Sequence, residues 1–339
     1  MRTVKALVWR EDVALEDVDK TQPGKNDVLI RVGAGSICGS DLTITAGKHP
    51  RARPPLILGH EFMGTVEEIP KNLDVSFQTG DRVVVEPLLS CKKCGPCRAG
   101  YEHVCRNLKL LGVETDGGFA DYVAAPAEKV YPIPESIPNH AAALIEPTAV
   151  AVHAVDYAQL RGDERVAVLG AGPIGLLIAQ VVRAAGVENI WMFDPNGFRA
   201  GLARSLGFSC FTIEERDAIA TTLDATDGEG ADVTFDAAGV PLSASQVIPM
   251  TGIRGRIVMV AIHKKPAQVE LRDLAYREQS IFGLRIYAKG DFNKALQLVS
   301  DGKVDVEPLI TQRFPFDEAV MAFKRAREGK NTCKIVIEA

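Results

Sequence analysis

The strongest hydrophobic pattern in the chain lies near its middle, where a strand, a turn and a helix are predicted in succession. The run RVAVL (165–169) has the apolar, β-branched composition of a buried strand. Apolar residues then recur from Ile174 to Val182 at the i, i+3, i+4, i+7 and i+8 spacing of one helix face. Gly186 follows and predicts the end of this helix.

Further strand patterns follow this helix, and stretches compatible with helices separate them. The runs are IWMF (190–193), DVTFD (232–236), RIVMV (256–260) and SIFGL (280–284). Alternating strands and helices are typical of a doubly wound parallel sheet. This part of the chain is therefore predicted to form an α/β domain.

The turn between the first strand and its helix has the glycine spacing of a dinucleotide-binding loop. Gly170, Gly172 and Gly175 give the pattern G-x-G-x-x-G. Such glycines permit a tight turn, close approach of the backbone to a pyrophosphate, and close packing of helix on strand. Pro173 and Ile174 open the helix, whose amino terminus offers free N–H groups to an anion.

Residues at the ends of the next strands indicate which dinucleotide is bound. Asp194 lies 19 residues after Gly175, and an acid there can accept both adenosine ribose hydroxyls and repel a 2′-phosphate. Arg199 comes a helical turn later, where it can stack or pair near the ribose. Ala238 follows a further strand, on the side of the sheet where ligands bind. NAD(H) is therefore predicted in preference to NADP(H).

Four of the seven cysteines lie within fifteen positions, with the spacing C-x2-C-x2-C-x7-C. They are Cys91, Cys94, Cys97 and Cys105. No export signal is visible at the amino terminus, so this cluster indicates metal binding rather than disulfides. Four thiolates complete the tetrahedral shell of zinc and leave no open position. We therefore predict a structural zinc ion in a lobe spanning about residues 88–108.

Single metal-ligating residues also occur at separated places in the chain. Cys38 follows a strand-like run, His60 and Glu61 come 22 residues later, and Glu146 lies in an apolar stretch. A carboxylate in such a stretch needs a partner other than water, and a cation is the usual one. One thiolate, one imidazole and one or two carboxylates leave a coordination position open, as at catalytic zinc. Cys38, His60 and Glu146 are the predicted ligands, and Glu61 is either a ligand or an exchanging carboxylate.

Polar residues next to Cys38 predict how this second site is supported. Ser40 would place its hydroxyl near an oxygen on the metal, which suits passing a proton from a substrate alcohol. Asp41 is a natural acceptor for the second N–H of His60. Either residue can alternatively cap a helix that begins near Leu42.

Length and composition exclude several classes of protein. The 339 residues suggest about two domains at roughly 150 residues each. A net charge of −5 argues against nonspecific nucleic-acid binding, and the chain has no apolar run long enough for a membrane span. We expect a cytoplasmic enzyme with a small-molecule substrate and with neither nucleic acid nor membrane as a partner.

The order of these motifs resembles that of the zinc-containing medium-chain alcohol and polyol dehydrogenases. Cys38 with Ser40, GHE at 59–61, GDRV at 80–83, the four-cysteine lobe and GAGPIG at 170–175 occur in that order. The resemblance implies a GroES-like antiparallel β catalytic domain, residues 1–146 and 284–339, and a Rossmann NAD-binding domain, residues 147–283. It also implies a homo-oligomer joined at the SIFGL strand, with a tetramer expected and a dimer as the alternative.

Departures from the best-known alcohol dehydrogenases point to one branch of the family. Glu146 stands where those enzymes carry a cysteine, which resembles the sorbitol, butanediol, threonine and sugar-acid dehydrogenases. Thr43 stands where the usual proton relay has a histidine, so Thr43, through water or ribose, or nearby His49 is expected to take that role.

The resemblance leads to one hypothesis for the reaction. A secondary alcohol of a polyol, sugar or sugar acid binds zinc, Ser40 passes its proton outward, and hydride goes to NAD⁺. Glu114 and Arg285 are expected to contact the polar substrate, with Tyr287 nearby. The alternative enzymes are a threonine or a butanediol dehydrogenase. The non-enzymatic alternative is a crystallin-like or sensory protein that binds NAD and zinc.

Overall fold

Two units, each with its own main sheet, make up residues 3–339, the part of the chain that the computed structural model describes. The first unit comprises the chain up to Glu146 together with Ala288–Ser300 and Ile310–Ala339. The second comprises Pro147–Tyr287 and Asp301–Leu309. The sequence places all of 284–339 in the catalytic domain, whereas the structure groups 284–287 and 301–309 with the second unit. The amide side chain of Gln180 contributes to this, because it pairs with the backbone of Asp305 at 2.7 and 2.9 Å.

The first unit begins with strands joined by loops and short helices. Its strands before Glu146 are β1 (Thr3–Trp9), β2 (Val13–Asp19), β3 (Asp27–Ser36), β4 (Leu56–Ile57), β5 (Glu61–Glu68), β6 (Arg82–Val85), β7 (Leu88–Leu89), β8 (Lys109–Leu110), β9 (Tyr122–Pro126) and β10 (Val130–Pro132). Its helices there are α1 (Gly39–Thr45), α2 (Gly95–Arg98) and α3 (Asn139–Ala142), with 3₁₀ turns at Glu102–Val104 and Ala127–Lys129.

Strands and helices alternate through the second unit. The helices are α4 (Ile145–Ala158), which begins just before the boundary, α5 (Pro173–Ala184), α6 (Gly197–Ser205), α7 (Ala218–Asp224), α8 (Pro241–Met250) and α9 (Leu271–Tyr276). The strands are β11 (Arg165–Leu169), β12 (Asn189–Phe193), β13 (Ser209–Phe211), β14 (Ala231–Asp236), β15 (Thr251–Met259) and β16 (Ser280–Gly283). They pair in parallel in the order β13-β12-β11-β14-β15-β16. This order confirms the predicted doubly wound sheet.

The remaining elements return the chain to the first unit. They are α10 (Asp291–Ser300), β17 (Ile310–Pro315), α11 (Ala319–Glu328) and β18 (Lys334–Glu338), with 3₁₀ turns at Glu307–Leu309 and Phe316–Glu318. The main sheet of this unit has the order β10-β6-β5-β3-β18-β17, and β9 also pairs with β3. Its strands pair antiparallel, as predicted, except that β17 and β18 are parallel.

Alternating apolar residues explain why β3 and β5 form the centre of this sheet. Val28, Ile30 and Val32 of β3 are buried against Phe62 and Val66 of β5 in one core cluster. Each such side chain contributes about 1.5–3 kcal/mol when it is fully buried. Strand β18 pairs with the other edge of β3, with Val336 opposite Ser36. The three strands carry Ser36 (β3), Glu61 (β5) and Lys334 (β18), whose side chains lie together beside a candidate metal site. Within residues 3–339, every helix is too short or too polar to cross a bilayer.

Candidate metal centres and dinucleotide site

Strand pairing brings Cys38, His60 and Glu61 together. Ser36 ends β3 and lies opposite Glu61, which begins β5, so Cys38 and His60 flank the same end of the strand pair. One ligand atom from each of Cys38, His60 and Glu61 lies within 4.8 Å of the other two. His60 and Glu61 are buried and Cys38 is half-buried. A thiolate, an imidazole and a carboxylate at this separation suit a zinc ion that keeps one position open.

Helix α1 places two further polar side chains beside His60. The Oγ of Ser40 lies 3.3 Å from His60 Nε2. One oxygen of Asp41 lies 3.5 Å from His60 Nδ1, and the other accepts the N–H of Cys38 at 2.8 Å. The helix begins at Gly39 rather than near Leu42, because Asp41 turns back to cap it at Cys38. Asp41 therefore caps the helix, and its second oxygen lies beside His60 at a distance longer than a hydrogen bond.

The electrostatic environment of His60 favours a positive charge. Burial lowers the pKa of its imidazole, but the carboxylate of Asp41 and the thiol of Cys38 raise it more, and the net pKa lies well above its ordinary value. A proton or a metal ion is therefore attracted to this position.

Lys334 is a member of this site that the sequence analysis missed. Its ammonium group, on β18, forms a buried ion pair with Glu61 Oε2, and the hydroxyl of Ser36 donates to the same oxygen. Burial lowers the pKa of Lys334, but Glu61 and then Cys38 outweigh that effect and the net pKa is raised. A lysine that opens the apolar strand KIVIE is a signal that could have identified it.

Glu61, rather than Glu146, lies within ligand distance of Cys38 and His60. The sequence predicts Glu146 as a metal ligand and leaves Glu61 open, whereas the structure groups Glu61, and not Glu146, with Cys38 and His60. Glu146 lies in the first turn of α4 and is 6% exposed. Its charge still contributes to raising the pKa of Lys334. The register of β3 against β5, which the sequence does not reveal, determines which acid lies in the group.

The two predicted proton carriers beyond Ser40 occupy different surroundings. The hydroxyl of Thr43 donates to the carbonyl of Gly39 at 2.9 Å, within the same helix. The Nδ1 of His49 accepts the backbone N–H of Ala52 at 3.0 Å, which places its own proton on Nε2. Burial lowers the pKa of His49, and Glu114 opposes this only in part. His49 is therefore a neutral imidazole near neutral pH.

The three residues predicted to contact substrate differ in exposure. Glu114 pairs with Arg51 at 2.8 Å and accepts the N–H of Leu110 at 2.9 Å, so it joins two loops. Arg285 is half-buried. Tyr287 is only 1% exposed and ends the Pro147–Tyr287 segment of the second unit.

The four clustered cysteines converge as their spacing predicts. One sulfur from each of Cys91, Cys94, Cys97 and Cys105 lies within 4.8 Å of the others, in the lobe between β7 and β8. The backbone N–H of Lys93 lowers the pKa of Cys91 to about 6, whereas burial and the neighbouring thiols raise that of Cys97 to about 12. Four thiols this close cannot all ionise without a cation between them, which zinc would supply.

The glycine turn between β11 and α5 leaves no room for side chains at two of its positions. Gly170 has a φ of +99°. A Cβ atom at Gly175 would lie 1.9 Å from the carbonyl oxygen of Gly170. Gly172 precedes Pro173 at the start of α5 and has open space, with the guanidinium of Arg199 3.8 Å from where a Cβ would be. The free N–H groups of α5 therefore begin at an open backbone surface.

Asp194 fixes this turn as well as carrying charge. It is buried after β12, where one carboxylate oxygen accepts the N–H of Ala171 at 2.7 Å and the other that of Asn196 at 2.8 Å. The sequence predicts only a ribose acceptor here, so these backbone contacts are an additional finding. Ala238 lies two residues after the end of β14. A Cβ atom at Gly170 would lie 3.1 Å from the backbone nitrogen of Ala238. Strand order reverses between β11 and β14, where dinucleotides bind in such sheets.

Comparisons with known proteins agree with these observations. One family model, described as an alcohol dehydrogenase GroES-like domain, matches residues 24–135, and another, described as a zinc-binding dehydrogenase, matches residues 173–301. These matches confirm the predicted fold of both domains.

Relatives and solved structures extend the similarity over the whole chain. A 2-dehydro-3-deoxy-L-galactonate 5-dehydrogenase of Pseudoalteromonas atlantica is 34% identical over 93% of this chain and 92% of its own. An L-threonine 3-dehydrogenase of Pyrococcus horikoshii is 36% identical over 95% and 94%. An Escherichia coli CFT073 alcohol dehydrogenase, solved with NADH, superposes with a TM-score of 0.92 at 29% identity and covers 100% of both chains. The chain therefore belongs to the zinc-containing medium-chain family of alcohol dehydrogenases.

Proposed function

We propose that this protein is an NAD(H)-dependent zinc enzyme that oxidises a secondary alcohol of a polyol, sugar or sugar acid to a ketone. The observation that carries the proposal is the buried group of Cys38, His60 and Glu61, whose ligand atoms lie within 4.8 Å of one another beside Ser40. Membership of the alcohol dehydrogenase family supports a redox reaction at an alcohol carbon.

The donor set at this group fits zinc. Cys38 and His60 are the proposed ligands, with Glu61 or Glu146 as the carboxylate that completes the site. When bound, zinc supplies Lewis acidity that makes an alcohol proton easier to lose. Asp41, 3.5 Å from the Nδ1 of His60, is proposed to orient the imidazole, which leaves Nε2, beside Ser40, as the proposed zinc-binding nitrogen.

Residues of this chain are proposed to move the alcohol proton away. Ser40 holds its hydroxyl 3.3 Å from His60 Nε2, at the position where a substrate hydroxyl would approach the ligand group. Its Oγ accepts the proton and passes its own outward. Thr43, one turn further along α1, and the neutral His49 are the proposed next carriers.

The glycine turn of the second unit is proposed to bind the dinucleotide. Gly170 and Gly175 exclude side chains from the turn, and Gly172 leaves the start of α5 open for a pyrophosphate. The negative charge of Asp194 disfavours a 2′-phosphate, so NAD(H) is proposed over NADP(H), with Arg199 beside the adenosine. When bound, NAD⁺ supplies the hydride acceptor. The NADH-bound Escherichia coli neighbour supports a nicotinamide dinucleotide at this turn.

A second zinc ion is proposed in the four-cysteine lobe. Cys91, Cys94, Cys97 and Cys105 fill all four positions of a tetrahedral shell, so this zinc would stabilise the lobe and take no part in the reaction.

The substrate class rests on the relatives. The Pseudoalteromonas relative acts, by its name, on a sugar acid, which supports a hydroxylated acid or polyol here, with Arg285 as the proposed contact for a carboxylate. The alternative substrate is L-threonine, which the name of the Pyrococcus relative supports. A homotetramer is the proposed assembly, joined through β16, the edge strand of the parallel sheet.

A substrate screen on the zinc-loaded protein tests the proposal. NADH formation is followed with polyols, aldonates, L-threonine and 2,3-butanediol, each with NAD⁺ and with NADP⁺. We expect oxidation of a polyol or an aldonate, with NAD⁺ preferred. Oxidation of L-threonine alone would favour the alternative, and no oxidation of any member would contradict the proposal.

A matched pair of cysteine variants tests the metal assignment. Cys38→Ser should lose one of two zinc ions per subunit and all turnover, yet still bind NADH. Cys210→Ser changes a buried cysteine outside both clusters and should keep both zinc ions. An active Cys38→Ser enzyme with one zinc ion would refute the assignment.

A further inference from the structure

A buried carboxylate that the proposed reaction does not use lies at the end of β14. Asp236 is fully buried, and its two oxygens accept four hydrogen bonds. One oxygen accepts the backbone N–H groups of Ala238 at 2.9 Å and Gly239 at 3.0 Å. The other accepts the hydroxyl of Ser243 at 3.0 Å and lies 2.8 Å from Nε2 of His263. Because an ionised carboxylate only accepts hydrogen bonds, Nε2 of His263 is the donor.

His263 joins Asp236 to the loop that follows β15. The backbone N–H groups of Val260 and Ala261 both donate to the carbonyl of Asp236 at 3.0 Å. The imidazole adds a side-chain contact between this loop and Asp236. The Nδ1 of His263 is buried and has no hydrogen-bond partner among residues 3–339. Among residues 3–339, the His263 ring is therefore held to the sheet by the hydrogen bond from Nε2.

Close packing places this loop beside the glycine turn. A Cβ atom at Gly170 would lie 3.1 Å from the nitrogen of Ala238, and one at Gly239 would lie 2.8 Å from the Cβ of Ala261. The loops after β11, β14 and β15 are thus in contact in that order. All three loops lie at the carboxyl ends of their strands. Strand order reverses between β11 and β14, and the loops after β14 and β15 lie on the β14 side of that point.

The direction of a bound dinucleotide follows from the same geometry. The adenosine ribose belongs with the acid at the end of β12, which is Asp194, and the pyrophosphate belongs at the start of α5. The remaining half of the molecule, which carries the nicotinamide, then extends past β11 toward the loops after β14 and β15.

We propose that His263 is a positioning residue for the nicotinamide ring of NAD(H). Its hydrogen bond to Asp236 fixes residues 260–263, which form one wall of the dinucleotide crevice. The inference rests on the proposed function, since it requires a dinucleotide at the glycine turn.

Binding of two related ligands separates this role from a general effect on folding. ADP-ribose contains every part of NADH except the nicotinamide ring, so both are titrated calorimetrically into the full-length, zinc-loaded protein. We expect His263→Ala to bind NADH about tenfold more weakly, because without this bond the loop occupies its binding position for only about a tenth of the time. ADP-ribose should bind as it does to wild type. The variant should fold, since the backbone bonds of Val260 and Ala261 to Asp236 remain.

Two further variants serve as controls. The side-chain amide nitrogen of His263→Gln lies as many bonds from Cβ as Nε2 of histidine and can still donate to Asp236, so this variant should recover much of the NADH affinity. Ser243→Ala removes another donor to the same carboxylate, but from α8 rather than from the loop. It should leave the ratio of the NADH and ADP-ribose affinities unchanged.

Each other outcome overturns the inference. Equal weakening of both ligands in His263→Ala would show a general structural role, and unchanged NADH affinity would show no role. Wild-type protein that binds neither ligand would refute the proposed function and this inference together, whereas failure of the His263 variants alone leaves the proposed function intact.

Discussion

Replacing Lys334 with methionine should destabilise the first unit, because Glu61 would lose its buried counter-ion. Lys334 is 3% exposed and Glu61 is 1% exposed, so water cannot solvate the remaining carboxylate. Removing one partner of a buried ion pair costs about 3–5 kcal/mol. Since the hydroxyl of Ser36 still donates to Glu61, we expect the lower end, about 3 kcal/mol.

The two tryptophans allow this loss to be measured in the first unit alone. Trp9 lies in β1 of the first unit and Trp191 in β12 of the second. In a Trp191→Phe background, the fluorescence of Trp9 therefore follows unfolding of the first unit in urea at a fixed zinc concentration. Lys92→Met is the matched control, because it breaks an exposed ion pair with Glu128. Its effect should be no more than about 1 kcal/mol.

A double variant identifies the source of the loss. Glu61→Gln with Lys334→Met leaves no buried charge in the pair, so it should be more stable than Lys334→Met alone. Strong non-additivity of the two substitutions is the expected signature of a direct interaction. Additive losses, or a loss for Lys334→Met no larger than that of Lys92→Met, would refute the reasoning.

Three further predictions concern the proton path, the dinucleotide and the structural zinc. Ser40→Ala should lower kcat about a hundredfold with zinc content unchanged, and loss of zinc would instead assign Ser40 a structural role. Asp194→Asn removes the charge that disfavours a 2′-phosphate, so the ratio of kcat/KM for NAD⁺ over NADP⁺ should fall; an unchanged ratio would contradict this assignment. Cys97→Ser should lose the zinc of the four-cysteine lobe and lower Tm, whereas Cys333→Ser, outside both clusters, should change neither; metal analysis and thermal unfolding check this.

Features set by local spacing are readable from the sequence. The glycine turn at 170–175 and the four cysteines at 91–105 each lie within one short segment, so their geometry follows from the residues between them. The structure brings together the sulfurs, and the glycines, that these spacings single out. The strand runs of the parallel sheet are equally local, because each is apolar and bounded by turns.

Features set by strand register are not readable in this way. Lys334 reaches Glu61 across 273 positions, and it does so only because β18 pairs with β3 and β3 with β5. The same pairing, rather than any local pattern, groups Glu61 instead of Glu146 with Cys38 and His60. The contact of Asp194 with the backbone of Ala171 is also non-local, since it depends on how β12 lies beside β11.

The central claim is that zinc is bound between the ends of β3 and β5, and anomalous scattering from crystals of the zinc-loaded protein tests it most directly. We predict two zinc peaks per subunit. One should lie among the four cysteines, and the other about 2.3 Å from Cys38 Sγ and about 2.0–2.1 Å from a nitrogen of His60. A single peak among the four cysteines, in crystals of protein that oxidises an alcohol with NAD⁺, would contradict the account.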